Sequence, residues 1–115
     1  HHAVFLERFR RLLAEESPAL GRYRAEDDPE WPAWAGLPTE EAVRRLRVLR
    51  AELVARVRAL TPAQARRTGL HPTFGALDVA GWLEFVLLHE AHHLYTALLR
   101  VGEAARRRGR EGRAS

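Results

Sequence analysis

Apolar side chains recur every three or four residues along three stretches of the chain, which is the spacing of a helix with one buried face. The first stretch covers residues 3–16. Its apolar positions between charged residues are Phe5, Phe9, Leu12 and Leu13. Ser17-Pro18 follows, and the residue before a proline resists the α-helical conformation. The pattern therefore predicts an amphipathic helix that ends at this proline.

The second stretch begins at Thr39, which we expect to cap a helix that has Glu40 and Glu41 in its first turn. Its apolar positions, spaced by three and four, are Leu46, Leu49, Leu53, Val57 and Leu60. The sequence TPAQ at residues 61–64 is a capping box with proline at the first helical position. It predicts a short further helix that Gly69 ends.

The third stretch follows Asp78, a suitable N-cap, and predicts a helix from Val79 to about Arg106. This helix has two apolar stripes, and we expect both to pack against other parts of the protein. The second stripe consists of Leu83, Leu87, Leu94 and Leu98. Residues 70–78 are expected to be a loop with at most a brief extended piece. No segment alternates polar and apolar residues for long enough to predict a strand. The elements together predict an all-α helical bundle.

A proline-rich segment, residues 18–38, separates the first two helices. We expect an ordered loop here, because Trp31 and Trp34 are too large to leave in water and would hold it against the helices.

Composition excludes several kinds of chemistry. The 115 residues suit one domain, and they contain no cysteine and no lysine, since all 19 basic residues are arginine. Disulfides, a cysteine nucleophile and a lysine Schiff base are therefore excluded. No apolar run is long enough for a membrane span, so we expect no membrane partner and a cytoplasmic location.

The net charge of +4 raises nucleic acid as a partner. Glutamates are interleaved with the arginines, however, and no motif with base-reading geometry is present, so nucleic acid is not the expected partner. The arginine-rich sequence at residues 106–113 predicts a solvated, disordered basic tail over residues 106–115.

Three histidines and a glutamate lie within the sequence LLHEAHHLY, residues 87–95. His89 and His93 are four residues apart, so on a helix they share one face and continue the line of Trp82 and Phe85. The pair can be a hydrogen-bonded couple at the edge of the core, or two ligands of a divalent metal ion. We favour the metal, because two buried imidazoles each need a partner.

His89, Glu90 and His93 also match the zinc-protease pattern H-E-x-x-H. A metzincin would need glycine and histidine at positions 96 and 99, where Thr96 and Leu99 stand. No glutamate further on is placed to return to the metal, and no strand is predicted that would hold a peptide substrate. We therefore interpret Glu90 as an ordinary exposed residue and do not expect a protease.

Residues 71–99, HPTFGALDVAGWLEFVLLHEAHHLYTALL, resemble the C-terminal half of the DinB/YfiT-like superfamily, with its histidine-proline turn ahead of a helix carrying H-x-x-x-H. FLERFRRLLAEESP, residues 5–18, is similar to the second helix of that family. The resemblance implies an up-down-down-up four-helix bundle over residues 1–105, with the first helix missing or truncated in this chain. It also implies a homodimer.

The resemblance further implies a divalent metal ion, zinc or nickel, bound by three histidines. Two of them are carried over as His89 and His93. The third comes from the start of the family's second helix, and we assign it to His2, which shares the face of Phe5 and Phe9, with His1 as the alternate. His71 matches the histidine-proline turn and is expected to serve the loop.

Some relatives in this family are transferases that use bacillithiol, mycothiol or glutathione. The expected partners of this chain are therefore a low-molecular-weight thiol and a small electrophile. The alternative function is that of a non-catalytic metal-binding or structural stress-response protein.

Overall fold

The computed structural model describes residues 1–114. In chain order its elements are α1 (His2–Ala14), a 3₁₀ turn (Ala25–Asp27), α2 (Trp31–Ala35), α3 (Thr39–Arg58), α4 (Pro62–Ala65), β1 (Thr68–His71), β2 (Gly75–Asp78) and α5 (Val79–Ala114). The chain divides into two compact units, residues 1–81 and a second unit that begins at Trp82. The fold is mostly helical, as the sequence predicts, and the four-helix bundle stays a prediction.

The core of the first unit is built on α1. Phe5, Phe9 and Leu12 are buried along one face of this helix, and the helix packs against α3, where Leu53 is buried. The predicted amphipathic helix is thus confirmed, although it ends at Ala14 rather than at residue 16. Leu20, from the segment after α1, is also fully buried.

The α3 helix is mostly exposed, and only Leu53 of its predicted apolar stripe is buried. Pro38 occupies the N-cap position in place of the predicted Thr39, and no side chain caps this end. Glu41 instead binds Arg44 and Arg45, and these two hydrogen-bonded guanidinium groups lower the pKa of Glu41 to about 2. Glu41 therefore supports the start of this helix through ion pairs with arginines three and four residues further along the chain.

A β-hairpin corrects the all-α prediction. β1 and β2 pair antiparallel, with Thr68 opposite Asp78 and His71 opposite Gly75. Each strand has only four residues, which is too short for alternation to be recognised in the sequence. The hairpin is also held by long-range backbone hydrogen bonds, in which the amide of Leu70 donates to Pro18 (2.8 Å) and the carbonyl of Leu70 accepts from Leu20 (3.0 Å).

The end of α1 is tied to the segment after α4 by Arg67. Its guanidinium donates one hydrogen bond to the carbonyl of Leu12 (2.9 Å) and another to the carbonyl of Glu15. Both carbonyls lie at the C-terminal end of α1, where backbone acceptors lack helical partners. The predicted capping box of α4 is confirmed by reciprocal hydrogen bonds between Thr61 and Gln64. The prediction that Gly69 ends this helix was wrong, since the helix ends at Ala65 and Gly69 lies in β1.

The segment between α1 and α3 is ordered, as predicted, by the 3₁₀ turn and α2. Trp34 is partly covered by the guanidinium of Arg45, which lies 5.5 Å from the centroid of its ring. The prediction that Trp31 also anchors the segment was wrong, since this side chain is 44% exposed. Trp31 is not among the buried residues of the core.

The second unit is the long part of α5. The helix starts as predicted, since a carboxylate oxygen of Asp78 accepts a hydrogen bond from the amide of Gly81 (2.8 Å). It runs on to Ala114, so residues 106–114 are helical where the sequence predicts a disordered tail. Arginine, alanine and glutamate are strong helix formers, and here they outweigh Gly109 and Gly112. The division into a domain over residues 1–105 and a tail stays a prediction.

Apolar side chains along much of α5 are exposed. Leu87, Leu94 and Leu98 of the predicted second stripe are 57%, 64% and 69% exposed, so the packing expected for them is absent from the described chain. Trp82, near the start of the helix, is by contrast only 2% exposed. The same helix therefore combines one well-buried aromatic anchor with a long uncovered apolar face.

Candidate metal centre

The histidine pair of α5 has the arrangement that the sequence predicts. His89 and His93 lie one turn apart, and their Nε2 atoms are 3.2 Å from each other. The two rings stand at 83° with their centroids 4.5 Å apart. One Nε2 atom can donate to the other when one ring carries its proton there, so in the absence of other ligands the contact is a hydrogen bond.

The same geometry suits a shared metal ion. Two nitrogen atoms that each bind one ion at about 2.0–2.1 Å in tetrahedral geometry lie roughly 3.3 Å apart. The observed separation of 3.2 Å therefore requires almost no movement of either side chain. A hydrogen-bonded pair and a pair of metal ligands can interconvert here when one proton is released, because a ligating nitrogen must be deprotonated.

Aromatic rings line the same side of the helix before the pair. The ring of Phe85 is stacked with that of His89, at 20° and a centroid separation of 5.8 Å, and it meets Trp82 edge-on at 6.0 Å. His89 is half-buried, whereas His93 is exposed. The stacked Phe85 ring orients the ring of His89, whereas the ring of His93 lies nearer the surface of the helix.

The histidine next to the pair, His92, points elsewhere on the helix. Its ring meets that of His93 at 5.7 Å, edge to face, and the residue is exposed. Glu90, which completes the protease-like pattern, is neither fully buried nor part of the pair. Successive residues are about 100° apart around a helix, so these two side chains leave the face of His89 and His93.

The N-terminal histidines lie in the first unit and differ in their contacts. The Nε2 atom of His2 faces the guanidinium of Arg50, with its Nη2 at 3.2 Å and its Nε at 3.4 Å. Since arginine can only donate, His2 accepts through this nitrogen. A metal ion at the same atom would have to displace Arg50, and the sequence held no signal for this contact across 48 positions.

His1 has a different environment. Its ring meets the ring of Tyr23 edge-on, with centroids 5.1 Å apart. The hydroxyl of Tyr23 in turn donates to Asp28 (2.7 Å), and burial together with this carboxylate raises the pKa of Tyr23 to about 12. His89 and His93 are candidate ligands for one metal ion. The assignment of His2 as a ligand stays a prediction.

His71 serves the loop, as the histidine-proline match predicts. Its Nδ1 atom accepts hydrogen bonds from the backbone amides of Thr73 (3.0 Å) and Phe74 (3.2 Å), and its ring stacks on that of Phe74. Burial, with smaller contributions from Arg8 and Arg22, lowers the pKa of His71. A neutral imidazole is therefore part of the structure of this turn.

A basic groove follows the histidine pair along α5. It has a volume of about 380 Å³ and is lined by Arg100, Glu103, Arg106, Arg107 and Arg110. His93, Arg100 and Arg107 are spaced by seven residues, which is close to two helical turns, so the three share one face. The amino-acid composition indicates only that arginine is abundant. The lining of the groove identifies Arg100 and Arg107 as arginines on the same helix face as His93.

Comparison with known proteins identifies the family of the chain. A family model described as the DinB superfamily matches residues 1–97. None of the curated proteins matches the chain. Among residues 1–114, no helix combines the length and the apolarity that crossing a membrane requires.

Proposed function

Because the chain belongs to the DinB superfamily, we propose that it is a metal-dependent transferase that joins a low-molecular-weight thiol to a small electrophile. The observation that carries the proposal is the 3.2 Å separation of the Nε2 atoms of His89 and His93, which suits two ligands of one divalent ion. Zinc or nickel is the metal we propose, since both accept imidazole nitrogen.

The third ligand in this proposal comes from the N-terminal histidines. We favour His1 over His2, because the Nε2 atom of His2 is already engaged by Arg50. His2, the ligand predicted from the sequence, would need this contact to break first. With three protein ligands, the coordination shell keeps a position for a substrate, which is the arrangement of catalytic rather than structural sites.

A bound divalent ion supplies one thing to the reaction, which is charge that stabilises a thiolate near neutral pH. The chain contains no cysteine, so the sulfur belongs to the substrate. The sulfur forms a bond to an electrophilic carbon while the bond between that carbon and its leaving group breaks. The leaving group departs with the electron pair, and the thiol proton passes to solvent.

The arginines of the groove indicate that the proposed substrate is negatively charged. Arg100 lies two turns after His93 on the same face, a rise of roughly 10.5 Å along the axis. Guanidinium groups bind carboxylates in a planar, two-pronged geometry. We therefore propose a thiol that carries a carboxylate group, bound with its sulfur towards the histidines and its carboxylate towards Arg100.

Metal content is the first test of the proposal. Purified protein exposed to zinc or nickel and then desalted should hold about one ion per chain, and His89→Ala should hold far less. His92→Ala is the matched control, because His92 is an exposed histidine on the same helix that lies outside the pair. Equal metal content in His89→Ala and His92→Ala contradicts the site. His1→Ala and His2→Ala, measured in parallel, separate the two candidates for the third ligand.

Turnover is the second test. The metal-loaded protein is given a chlorinated aromatic acceptor and either a carboxylate-bearing thiol such as glutathione or the neutral thiol 2-mercaptoethanol. Conjugation should be faster with the anionic thiol and should be lost in His89→Ala. Full metal loading with no conjugation of any thiol refutes the transferase and supports the alternative of a non-catalytic metal-binding protein.

A further inference from the structure

The end of α5 carries most of the net charge of the chain. Residues 102–114 contain only arginine, glutamate, alanine and glycine. Five arginines and two glutamates give this segment a net charge of +3, out of +4 for the whole chain. The sequence predicts a disordered tail here, whereas the structure has a continuous helix to Ala114. The positive charges are therefore held at the fixed spacing of a helix.

Four of these arginines share one face of the helix. At about 100° per residue they lie within an arc of roughly 120°, and Arg108 lies at least about 100° from each of them. The four are Arg106, Arg107, Arg110 and Arg113, and all are exposed. We call these four residues the α5 arginine face.

The α5 arginine face differs from the arginines of α3 in its ion pairs. In α3, Glu41 binds Arg44 and Arg45, and Glu52 binds Arg56, each at 2.7 Å. Within residues 1–114, no carboxylate forms an ion pair with the α5 arginine face. The expectation against a nucleic-acid partner rests on the interleaving of glutamates with arginines. That interleaving neutralises charge on α3 but not at the end of α5.

The segment is also a narrow helix with no covered side. Every residue from Ala105 to Ala114 is exposed. A Cβ added at Gly109 would lie 3.7 Å from the guanidinium of Arg113, so the missing side chain leaves room for this arginine beside the helix. A helix with its side chains is about 10–12 Å across, and the major groove of B-form DNA is about 12 Å wide. The dimensions of the segment therefore match that groove.

We propose that the α5 arginine face binds the phosphate backbone of double-stranded DNA, with the end of α5 in the major groove. Guanidinium groups bind phosphate oxygens through two parallel hydrogen bonds. The face extends from Arg106 to Arg113 over roughly 10.5 Å along the helix axis. DNA carries one negative charge per roughly 1.7 Å of its own axis, so each of the four guanidinium groups meets a phosphate within this length.

The composition of the segment also indicates how DNA is bound. Residues 102–114 contain no asparagine or glutamine, the side chains that recognise adenine in the major groove. We therefore expect binding with little sequence preference. Arg106 lies roughly 20 Å beyond His93 along the helix axis, so the proposal does not rest on the metal centre.

An acidic protein and a lipid surface fit the segment less well than DNA. Protein interfaces have an apolar core, and helices that lie on membranes bury large apolar side chains. Residues 102–114 contain no apolar side chain larger than alanine. The exposed leucines of α5 precede the segment, and Leu94 lies about 160° around the helix from Arg110. DNA binding needs no apolar contact, because release of counterions from the backbone supplies the affinity.

The salt dependence of DNA binding tests the proposal. Fluorescence anisotropy measures the affinity of the protein for a labelled duplex of about 20 base pairs between about 50 and 200 mM salt. Four phosphate contacts predict a slope of about −3.6 for the logarithm of the association constant against the logarithm of the salt concentration. A second duplex of unrelated sequence should bind within about threefold. Absence of binding at about 50 mM salt, or a slope weaker than about −1, overturns the proposal.

Variants test whether the α5 arginine face carries the binding. Arg106→Gln/Arg110→Gln should lower the affinity at about 50 mM salt at least tenfold and reduce the steepness of the slope by about 1.8. Arg47→Gln/Arg58→Gln is the matched control, because it removes the same charge from two exposed arginines of α3, and it should lower the affinity less than threefold. Equal losses show attraction by net charge alone and overturn the proposal. Glu103→Gln, which removes a carboxylate from the lining of the groove, should strengthen binding.

Three other ligands separate DNA from its alternatives. Double-stranded RNA of the same length carries similar charge, but its major groove is deep and narrow and side chains cannot read it, so it should bind at least threefold more weakly. Poly-glutamate and vesicles that contain phosphatidylserine should each bind at least tenfold more weakly than the DNA duplex at the same salt concentration. Equal binding of RNA refutes the placement in the major groove. Equal or tighter binding of poly-glutamate or of the vesicles indicates an acidic protein or a membrane instead, and either result overturns the proposal.

Discussion

Arg67 provides the sharpest test of how the first unit is held together. This side chain joins the segment after α4 to the C-terminal end of α1 through hydrogen bonds to the carbonyls of Leu12 and Glu15. The substitution Arg67→Met keeps most of the aliphatic stem and removes both donors. Two helix-end carbonyls then lose their partners, and the more buried of them, that of Leu12, has little access to water.

The expected cost follows from the two contacts. Hydrogen bonds in which one partner is charged stabilise by about 1.5–3 kcal/mol each when they are buried. One of these two is exposed and solvent can replace it, so we expect a loss of about 2 kcal/mol in the free energy of unfolding. For a chain of this size, that loss lowers Tm by roughly 8 °C.

Urea unfolding followed by circular dichroism measures this loss, with Arg66→Met as the matched control. Arg66 is the neighbouring arginine and is exposed, so its substitution should change the free energy of unfolding by less than about 0.5 kcal/mol. Equal midpoints for the two variants would falsify the role of Arg67. The m-value should stay constant, because neither change alters the surface exposed on unfolding.

Two further predictions concern the hairpin. The folded-state pKa of His71 is lowered, so its neutral form stabilises the turn above the unfolded pKa of about 6.5, and this stability is lost as pH falls through the lowered pKa. Urea unfolding of the metal-free protein should therefore show that the free energy of unfolding decreases below about pH 6.5. The decrease should be smaller in His71→Ala, and identical pH profiles for the two proteins would contradict this prediction. Gly75 has φ of +73° with open space around it, so Gly75→Ala should cost about 1 kcal/mol through backbone conformation alone. Gly21→Ala is its control, because Gly21 has the same open space without a positive φ and should show no loss of stability.

Features that depend on a few neighbouring residues were predictable from the sequence. The capping box of Thr61 and Gln64 and the N-cap of Asp78 are both confirmed, because each is decided within three residues of the chain. The pairing of His89 with His93 is of the same kind, since helical geometry brings side chains four residues apart together. The family was also recognisable, because its turn and its histidine spacing lie within residues 71–99.

Features that depend on distant residues were decided only by the tertiary structure. The hairpin is held by hydrogen bonds between Leu70 and residues 18–20. Strands of four residues are too short to show a periodic pattern, so the sequence did not predict these hydrogen bonds. The contact of His2 with Arg50 joins positions 48 apart, so it could not be predicted from spacing.

The exposure of the apolar residues of α5 also shows which features follow from the sequence and which follow from the tertiary structure. The sequence determined by itself that α5 is a long helix with apolar stripes and a histidine pair, since both follow from the angle between successive residues. Which stripe is covered depends on what packs against it, and only the structure shows that Leu87, Leu94 and Leu98 remain uncovered. Periodicity fixes the face on which a side chain lies, whereas burial is a property of its neighbours in space.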